Sequence, residues 1–298
     1  MPTNPELGQS PPHAPRTQRR VLLGLLGHPI AHSAAPAMHE AAGDALGLRV
    51  LYRLLEIPNL DSGGLRRVLD SARDLGFTGL NITFPYKEVI CRVLDDLSPT
   101  ARAVGAVNTV VIADGKFIGH NTDATGFAAS LRAELGGNIP APVALIGTGG
   151  MGRAAAFAMA SLGVALRLFD ADPARAVRLA RDLADRTTVS VATTLPALME
   201  GVTGLVNATP IGMLPDRGTP VPSALLHGGL WVADAVYYPL ITPLLAAAQA
   251  VGARIITGRS LSLHQAYDAF RLFTGLDTPR DPVAQAFDDV IAARDHGR

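Results

Sequence analysis

The sequence predicts an α/β protein of two domains, the second of them a doubly wound parallel sheet. Three observations carry this expectation. Strand-like apolar runs alternate with amphipathic helical stretches from Val21 to about Leu94, and again from Val143 to Thr257. A β-hairpin signal at residues 106–122 separates the two alternations. A glycine-rich turn, Gly147–Gly152, follows the first strand of the second alternation and opens a helix. At 298 residues the chain exceeds one ordinary core, so two are expected.

Residues 1–18 are rich in Pro, Gln and Thr without apolar period, which predicts a disordered leader. Val21–Leu26 reads as a first strand; it is too short for a signal-peptide core and is cut by Gly27-His28-Pro29. Ser33 reads as the N-cap of a helix carrying Met38, Ala41, Ala42, Ala45 and Leu46, closed by Gly47. Val50–Ile57 is a second strand. Leu65, Val68, Leu69, Ala72 and Leu75 mark a second helix, ended by Gly76. Gly79–Thr83 is a third strand that stops at Pro85, and Val89, Ile90, Val93 and Leu94 predict a helix after it, giving a largely parallel sheet. Asp114-Gly115 then turns a hairpin whose exit, His120–Asp123, enters a helix holding Phe127, Leu131 and Leu135. The expected division is a first domain of 19–122 plus 259–298 and a second of 123–258. Strands of the second are expected at Val143–Ile146, Ala165–Phe169, Thr188–Val191, Leu205–Ala208, Trp231–Val236 and Arg254–Thr257. Helices at Ser260–Phe273 and from about Pro282 have no strand partner and are expected to return to the first domain.

Composition is 48% hydrophobic and 17% charged with zero formal net charge, so nucleic-acid binding lacks electrostatic support. No run approaches the roughly 18 apolar residues of a membrane span. The single cysteine, Cys91, excludes an intrachain disulfide, fits a reducing compartment and reads as a small hydrophobe on a helix. A cytoplasmic protein with a small-molecule substrate, monomeric or homodimeric, is expected.

Gly147-Thr148-Gly149-Gly150-Met151-Gly152 matches G-x-G-x-x-G between a strand and a helix. That context predicts a dinucleotide site of Rossmann type, because the glycines admit a pyrophosphate and the helix N–H groups hold its charge. Asp170 ends the next strand, 23 positions after Gly147. A carboxylate there accepts from ribose hydroxyls and repels a 2′-phosphate, which favours NAD over NADP. The alternative for Asp170 is a helix cap, a task that Asp172 fits better.

Only two of the 26 basic residues are lysines. Lys116 follows the hairpin turn and reads as solvated, whereas Lys87 follows a strand end, where α/β proteins place reactive groups. Arginine keeps its proton near neutral pH; a suitably placed lysine can exchange one. Lys87 with Asp123 is therefore the candidate acid–base pair, set against a surface lysine and a helix N-cap respectively. Ser33, Asn81, Thr83, Asn108 and Gln265 cluster near strand and helix ends and suit a polyhydroxylated ligand, though each alone also suits a cap or turn. His28 and His32 lack a third ligand, so no metal is expected, and His39 and His264 read as helix-face residues.

Several stretches together resemble the shikimate/quinate dehydrogenase family: Pro29–Ser33, Asn81–Lys87, Gly105–Thr109, Asn121–Asp123, Gly147–Gly152, Asn207–Pro210 and Gln265-Ala266. The resemblance spans nearly all the chain beyond residue 20. It implies a two-domain enzyme that oxidises a ring hydroxyl of quinate or shikimate. It also implies Lys87 and Asp123 as the catalytic pair and Ser33, Asn81, Thr83, Asn108, Tyr237 and Gln265 as substrate contacts. Asn207, Ala208, Thr209 and Gly258 would lie near the nicotinamide. Two departures are visible. Asp170-Ala171-Asp172 replaces the Asn-Arg-Thr-like segment of the NADP enzymes, which favours the NAD-using branch. Ala35 replaces a family Ser or Thr near the substrate carboxylate, a lost hydrogen bond of about 1.5–3 kcal/mol to a charged group.

Overall fold

The computed structural model describes residues 19–296; the leader expected over 1–18 lies outside the described residues. The first sheet is entered by β1 (Arg20–Gly27), α1 (Ala35–Ala45), β2 (Arg49–Glu56), α2 (Ser62–Asp74) and β3 (Gly79–Ile82). It is completed by β4 (Asp96–Leu97), α3 (Pro99–Val104), β5 (Thr109–Ala113) and β6 (Lys116–His120). Its order is β2-β1-β3-β5-β6-β4. β5 alone runs antiparallel, to both β3 and β6, while β6 pairs parallel with β4, so the sheet is largely parallel, as expected, with one reversed strand. The turn is made where expected, with Asp114 at φ 51° and Gly115 at φ 76°, the left-handed pair of a type I′ turn.

The helix expected over Val89–Leu94 is instead one 3₁₀ turn, Val89–Arg92. Two anchors leave no room for more. The Tyr86 hydroxyl donates to the Ile57 carbonyl at 2.6 Å, and Asp95 bonds Phe117 on β6 through both its backbone and its carboxylate. The chain must reach the sheet edge within that interval.

α4 (Thr122–Leu135) leads to the second sheet. This holds β7 (Val143–Ile146), α5 (Gly150–Ser161), β8 (Leu166–Phe169), α6 (Pro173–Leu183), β9 (Val189–Val191), α7 (Leu195–Met199) and β10 (Gly204–Asn207). β11 (Trp231–Asp234), α8 (Pro243–Ala250) and β12 (Arg254–Ile256) finish it. The order β12-β11-β10-β7-β8-β9 is fully parallel and doubly wound, as the sequence predicts, and every strand begins and ends within two residues of expectation. β7, β10 and β11 are buried along their whole length, as their apolar residues require between two helical layers, and the polar residues that end β10 and β11, Asn207 and Asp234, bond each other.

α9 (Gly258–Thr274) and α10 (Arg280–His296) close the chain. Met38 and Ala42 of α1, Phe270 of α9, and Phe287 and Ile291 of α10 form one buried cluster against the first sheet. Each large side chain buried there contributes about 1.5–3 kcal/mol. α9 also crosses α4 so closely that a Cβ at Gly126 would lie 2.7 Å from the Gln265 nitrogen. Among the described residues no helix is long and apolar enough to cross a membrane.

Candidate active site

The ends of β3, β5 and β6 and the start of α4 converge. Thr83 follows β3, and its methyl group packs against Gly27 of β1. Four residues on, Lys87 is held by its own carbonyl, which accepts from Val107 N–H at 2.7 Å. Its ammonium donates to Asp123 Oδ2 at 2.6 Å, with side-chain exposures of 18% and 8%. Asp123 is free for this contact because Asn121 caps α4, its side-chain oxygen accepting from Ala124 N–H at 2.9 Å. The half-buried Lys87 and the buried Asp123 are therefore joined in one contact rather than spent on a surface or a cap.

Asn108 fixes the other oxygen of the pair, donating to Asp123 Oδ1 at 2.9 Å and to Thr122 Oγ1 at 2.9 Å, while its own oxygen accepts from Thr122 N–H. Asn81 sits one layer deeper. Its amide donates to the Asn108 carbonyl and to Thr109 Oγ1, and its oxygen accepts from the Tyr52 hydroxyl at 2.9 Å. Asn81 thus supports Asn108 from the adjoining strand. Tyr52, Thr109 and Thr122 were not among the expected site residues; their roles arise from cross-strand pairing, which local spacing does not reveal. Tyr52 stacks on His39, which lies on the buried face of α1 at 2% exposure; burial drives its imidazole pKa down to about 3 and leaves it neutral.

Ser33 does not cap α1. Ala34 occupies the cap position, and Ser33 Oγ accepts from Ala35 N–H at 3.2 Å. Tyr237 faces Ser33 from the loop after β11, and a Cβ at Gly258 would lie 2.9 Å from the Tyr237 nitrogen. Gln265 donates to the Ser262 carbonyl of its own helix, beside Gly126 and one turn along α4 from Asp123.

The glycine-rich turn lies directly over Lys87: a Cβ at Gly150 would stand 3.2 Å from Lys87 Cβ. At Gly152 a Cβ would stand 1.9 Å from the Gly147 carbonyl oxygen, so only glycine closes this turn. Gly149 is the N-cap of the 12-residue α5 and offers no side-chain oxygen to the helix N–H groups. Those open donors and the space kept by Gly149, Gly150 and Gly152 fit a dinucleotide pyrophosphate. Thr148, buried, donates through N–H and hydroxyl to Asp170 at 2.6 and 2.7 Å, and Met151 packs beneath on the second core. Burial opposes charge on Asp170, but the bonds from Thr148 and Asp172 and the nearby Arg175 outweigh it and hold its pKa below the usual carboxylate range. Asp172, not Asp170, caps α6. Arg175 in turn donates to Glu88, beside Lys87, at 2.8 Å, tying the second sheet's helix to the first domain.

Behind the turn, Asn207 accepts from Thr209 N–H and hydroxyl and donates to Asp234 Oδ1 at 2.9 Å. Thr209 and Ala208 then pack against Gly147. Asp234, unforeseen in the sequence although it ends a strand beside the fingerprint, accepts also from Val236 N–H and the Thr242 hydroxyl. Its burial is nearly complete and pushes its pKa up to about 6, against those hydrogen bonds. Because the folded carboxyl binds its proton more tightly than the unfolded one, stability falls as pH rises from about 4 to about 6. The change amounts to about 3 kcal/mol at most. Asp234→Asn is expected to remove this slope. The melting temperature of wild type relative to the variant should be higher at pH about 4.5 than at about 7.5; an offset independent of pH would contradict the assignment.

Residues 25–110 match the family model described as the shikimate dehydrogenase substrate binding domain. The chain is 45% identical over 282 residues to a Pseudarthrobacter chlorophenolicus protein named shikimate dehydrogenase (NADP(+)), covering 92% of this chain and 96% of that one. It is 44% identical over 266 residues to a Corynebacterium efficiens protein named quinate/shikimate dehydrogenase (NAD(+)), covering 86% and 94%. Among solved structures, quinate dehydrogenase from Corynebacterium glutamicum in complex with NAD matches with a TM-score of 0.83 at 39% identity, covering 91% of this chain and all of that one.

Proposed function

This chain belongs to the shikimate dehydrogenase family, oxidoreductases acting on CH–OH groups with NAD(P), and from that premise we propose that it is an NAD-dependent quinate/shikimate 3-dehydrogenase. The observation that carries the reading is the Lys87–Asp123 contact lying directly beneath the glycine-rich turn. In this reading residues 19–122 and 259–298 form the substrate domain, and 123–258 form the dinucleotide-binding domain. The cyclohexane acid lies between them, among Ser33, Asn81, Thr83, Lys87, Asn108, Asp123, Tyr237 and Gln265.

A nicotinamide held near Asn207, Ala208, Thr209 and Gly258 would supply the hydride acceptor or donor. The chain handles the proton. In the oxidising direction the Lys87 amine takes the proton of the reacting hydroxyl; in the reducing direction its ammonium gives one to the carbonyl oxygen. Asp123 holds Lys87 at 2.6 Å and is itself held by Asn108, so the nitrogen waits in one place and little orientational freedom remains to be lost.

NAD follows from Asp170, whose carboxylate at the end of β8 accepts from ribose hydroxyls and repels a 2′-phosphate. A second reading, an NADP-linked biosynthetic enzyme, has its own support: the Pseudarthrobacter relative is named for NADP, and Arg175 reaches within 3.4 Å of a Cβ position at Gly149. A panel of quinate and shikimate with both dinucleotides, read by absorbance of the reduced nicotinamide, tests the two. NAD turnover should exceed NADP turnover at equal concentration. Asp170→Ala should narrow the kcat/KM ratio between the cofactors by about 10-fold or more, the loss of one charged hydrogen bond. An unaltered ratio would count against Asp170 as the determinant.

A further inference from the structure

The segment Val104–Asn108 is tied to the candidate site along its length. The Ala106 carbonyl accepts from the Asn121 amide at 2.8 Å, and Val107 N–H donates to the Lys87 carbonyl at 2.7 Å. Asn108 holds Asp123 at 2.9 Å. The near end of the same segment is held from the second sheet. Arg153, whose own N–H bonds the Gly149 carbonyl in the first turn of α5, donates through Nε to the Val104 carbonyl, at the C-terminus of α3. Its other arm meets Asp182 of α6 at 2.9 Å, and the side chain is half-buried at 16% exposure. Gly105 ends α3 at φ 70°, and a Cβ there would lie 3.2 Å from the Arg153 guanidinium.

A helix C-terminus leaves carbonyls without partners and carries partial negative charge, so a guanidinium is held there by both a hydrogen bond and the helix field. The planar fork lets Arg153 serve Val104 and Asp182 together, a geometry that an ammonium does not reproduce. Two contacts thus set how α5 sits over the acid–base pair. One is Gly150 against the Lys87 stem, and the other is Arg153 on the segment that carries Val107 and Asn108. Together they fix the glycine-rich turn relative to the Lys87 ammonium, and alignment of reacting groups is where a small displacement costs most rate.

Resting on the function proposed above, we propose that Arg153 is a positioning residue for hydride transfer, holding the glycine-rich turn in register with Lys87 and Asp123 through the Val104–Asn108 segment. It acts through Val107 and Asn108 rather than on the ligand.

The test compares wild type, Arg153→Met, Arg153→Lys and Asp182→Asn. Single-turnover oxidation of quinate, followed by stopped-flow absorbance of NADH, gives a rate constant that reports alignment and an amplitude that reports the competent fraction. In Arg153→Met the rate constant should fall about 10²-fold, the effect of a misplacement of about 1 Å. The amplitude should be retained, and the NADH Kd from fluorescence should stay within about 3-fold. Arg153→Lys, which can still donate to the Val104 carbonyl, should lose only about 5-fold. Asp182→Asn, which weakens only the pairing of α5 with α6, should leave the rate constant within about 2-fold. Amide hydrogen exchange reads the link without turnover: Val107 N–H should exchange about 10-fold faster in Arg153→Met while the β7 amides keep their protection. A lower amplitude and Tm with an unaltered rate constant would mean that Arg153 only supports the fold, and wild-type protection at Val107 would mean that the link does not exist. Either result overturns the proposal, as does a loss in Asp182→Asn equal to that in Arg153→Met. Should the methionine variant not fold, wild-type rate and Val107 protection in Arg153→Lys overturn it equally. Wild-type turnover of neither quinate nor shikimate would instead remove the proposed function, a result read before any variant is made.

Discussion

Replacing Lys87 by methionine is expected to lower kcat for quinate or shikimate oxidation by about 10²- to 10⁴-fold, the usual range for loss of a placed general acid–base. Methionine matches much of the aliphatic stem that packs against Gly150, so dinucleotide binding should persist. The change strips Asp123 of one partner, but Asn108 still donates to it at 2.9 Å, which limits the cost to the fold. Lys87→Arg separates charge from chemistry. It keeps a cation beside Asp123 but offers no group that exchanges a proton near neutral pH, so it should fold, bind and remain slow. Steady-state rates with fluorescence titration of NADH give both quantities. Near-wild-type turnover in either variant would remove Lys87 from the reaction and with it the mechanism proposed above.

Gly152→Ala is the second large effect expected, and it falls on the cofactor rather than on the proton. The added methyl would meet the Gly147 carbonyl oxygen at 1.9 Å and its carbon at 2.7 Å. Backbone cannot yield as a side-chain tip can, so the turn must open and α5 must shift away from β7. The helix N–H groups then miss the pyrophosphate. Losing one or two charged hydrogen bonds at about 1.5–3 kcal/mol each would weaken dinucleotide binding by roughly 10- to 10⁴-fold. Some stability goes with it, about 1–3 kcal/mol for an overpacked site. Titration with NADH and thermal melts report the two losses separately. Binding at wild-type strength would mean that this turn does not hold the pyrophosphate.

The other legible features were of the same local kind. The doubly wound second sheet could be read because each of its strands is a short apolar run bounded by turn residues, and β7, β10 and β11 are buried along their whole length. The hairpin was legible because Asp-Gly permits two consecutive residues with positive φ. Where the reading differed, a distant contact intervened. The helix after Pro85 shrank to one turn because Asp95 had to pair with Phe117, 22 positions away. Ser33 gave up the cap to face Tyr237, which lies more than 200 positions along the chain.

The sequence by itself therefore determined the alternation of strands and helices, the glycine turn, the scarcity of lysine and the carboxylate that ends β8. These depend on backbone sterics, apolar period and residue chemistry, all of which act within a few positions. Only the tertiary structure decided that Lys87 meets Asp123, that Asn81 supports Asn108 and that Asp234 braces Asn207. Each of those is a pairing between separate elements, set by sheet order and helix packing, and spacing along one chain carries no record of which strand ends become neighbours.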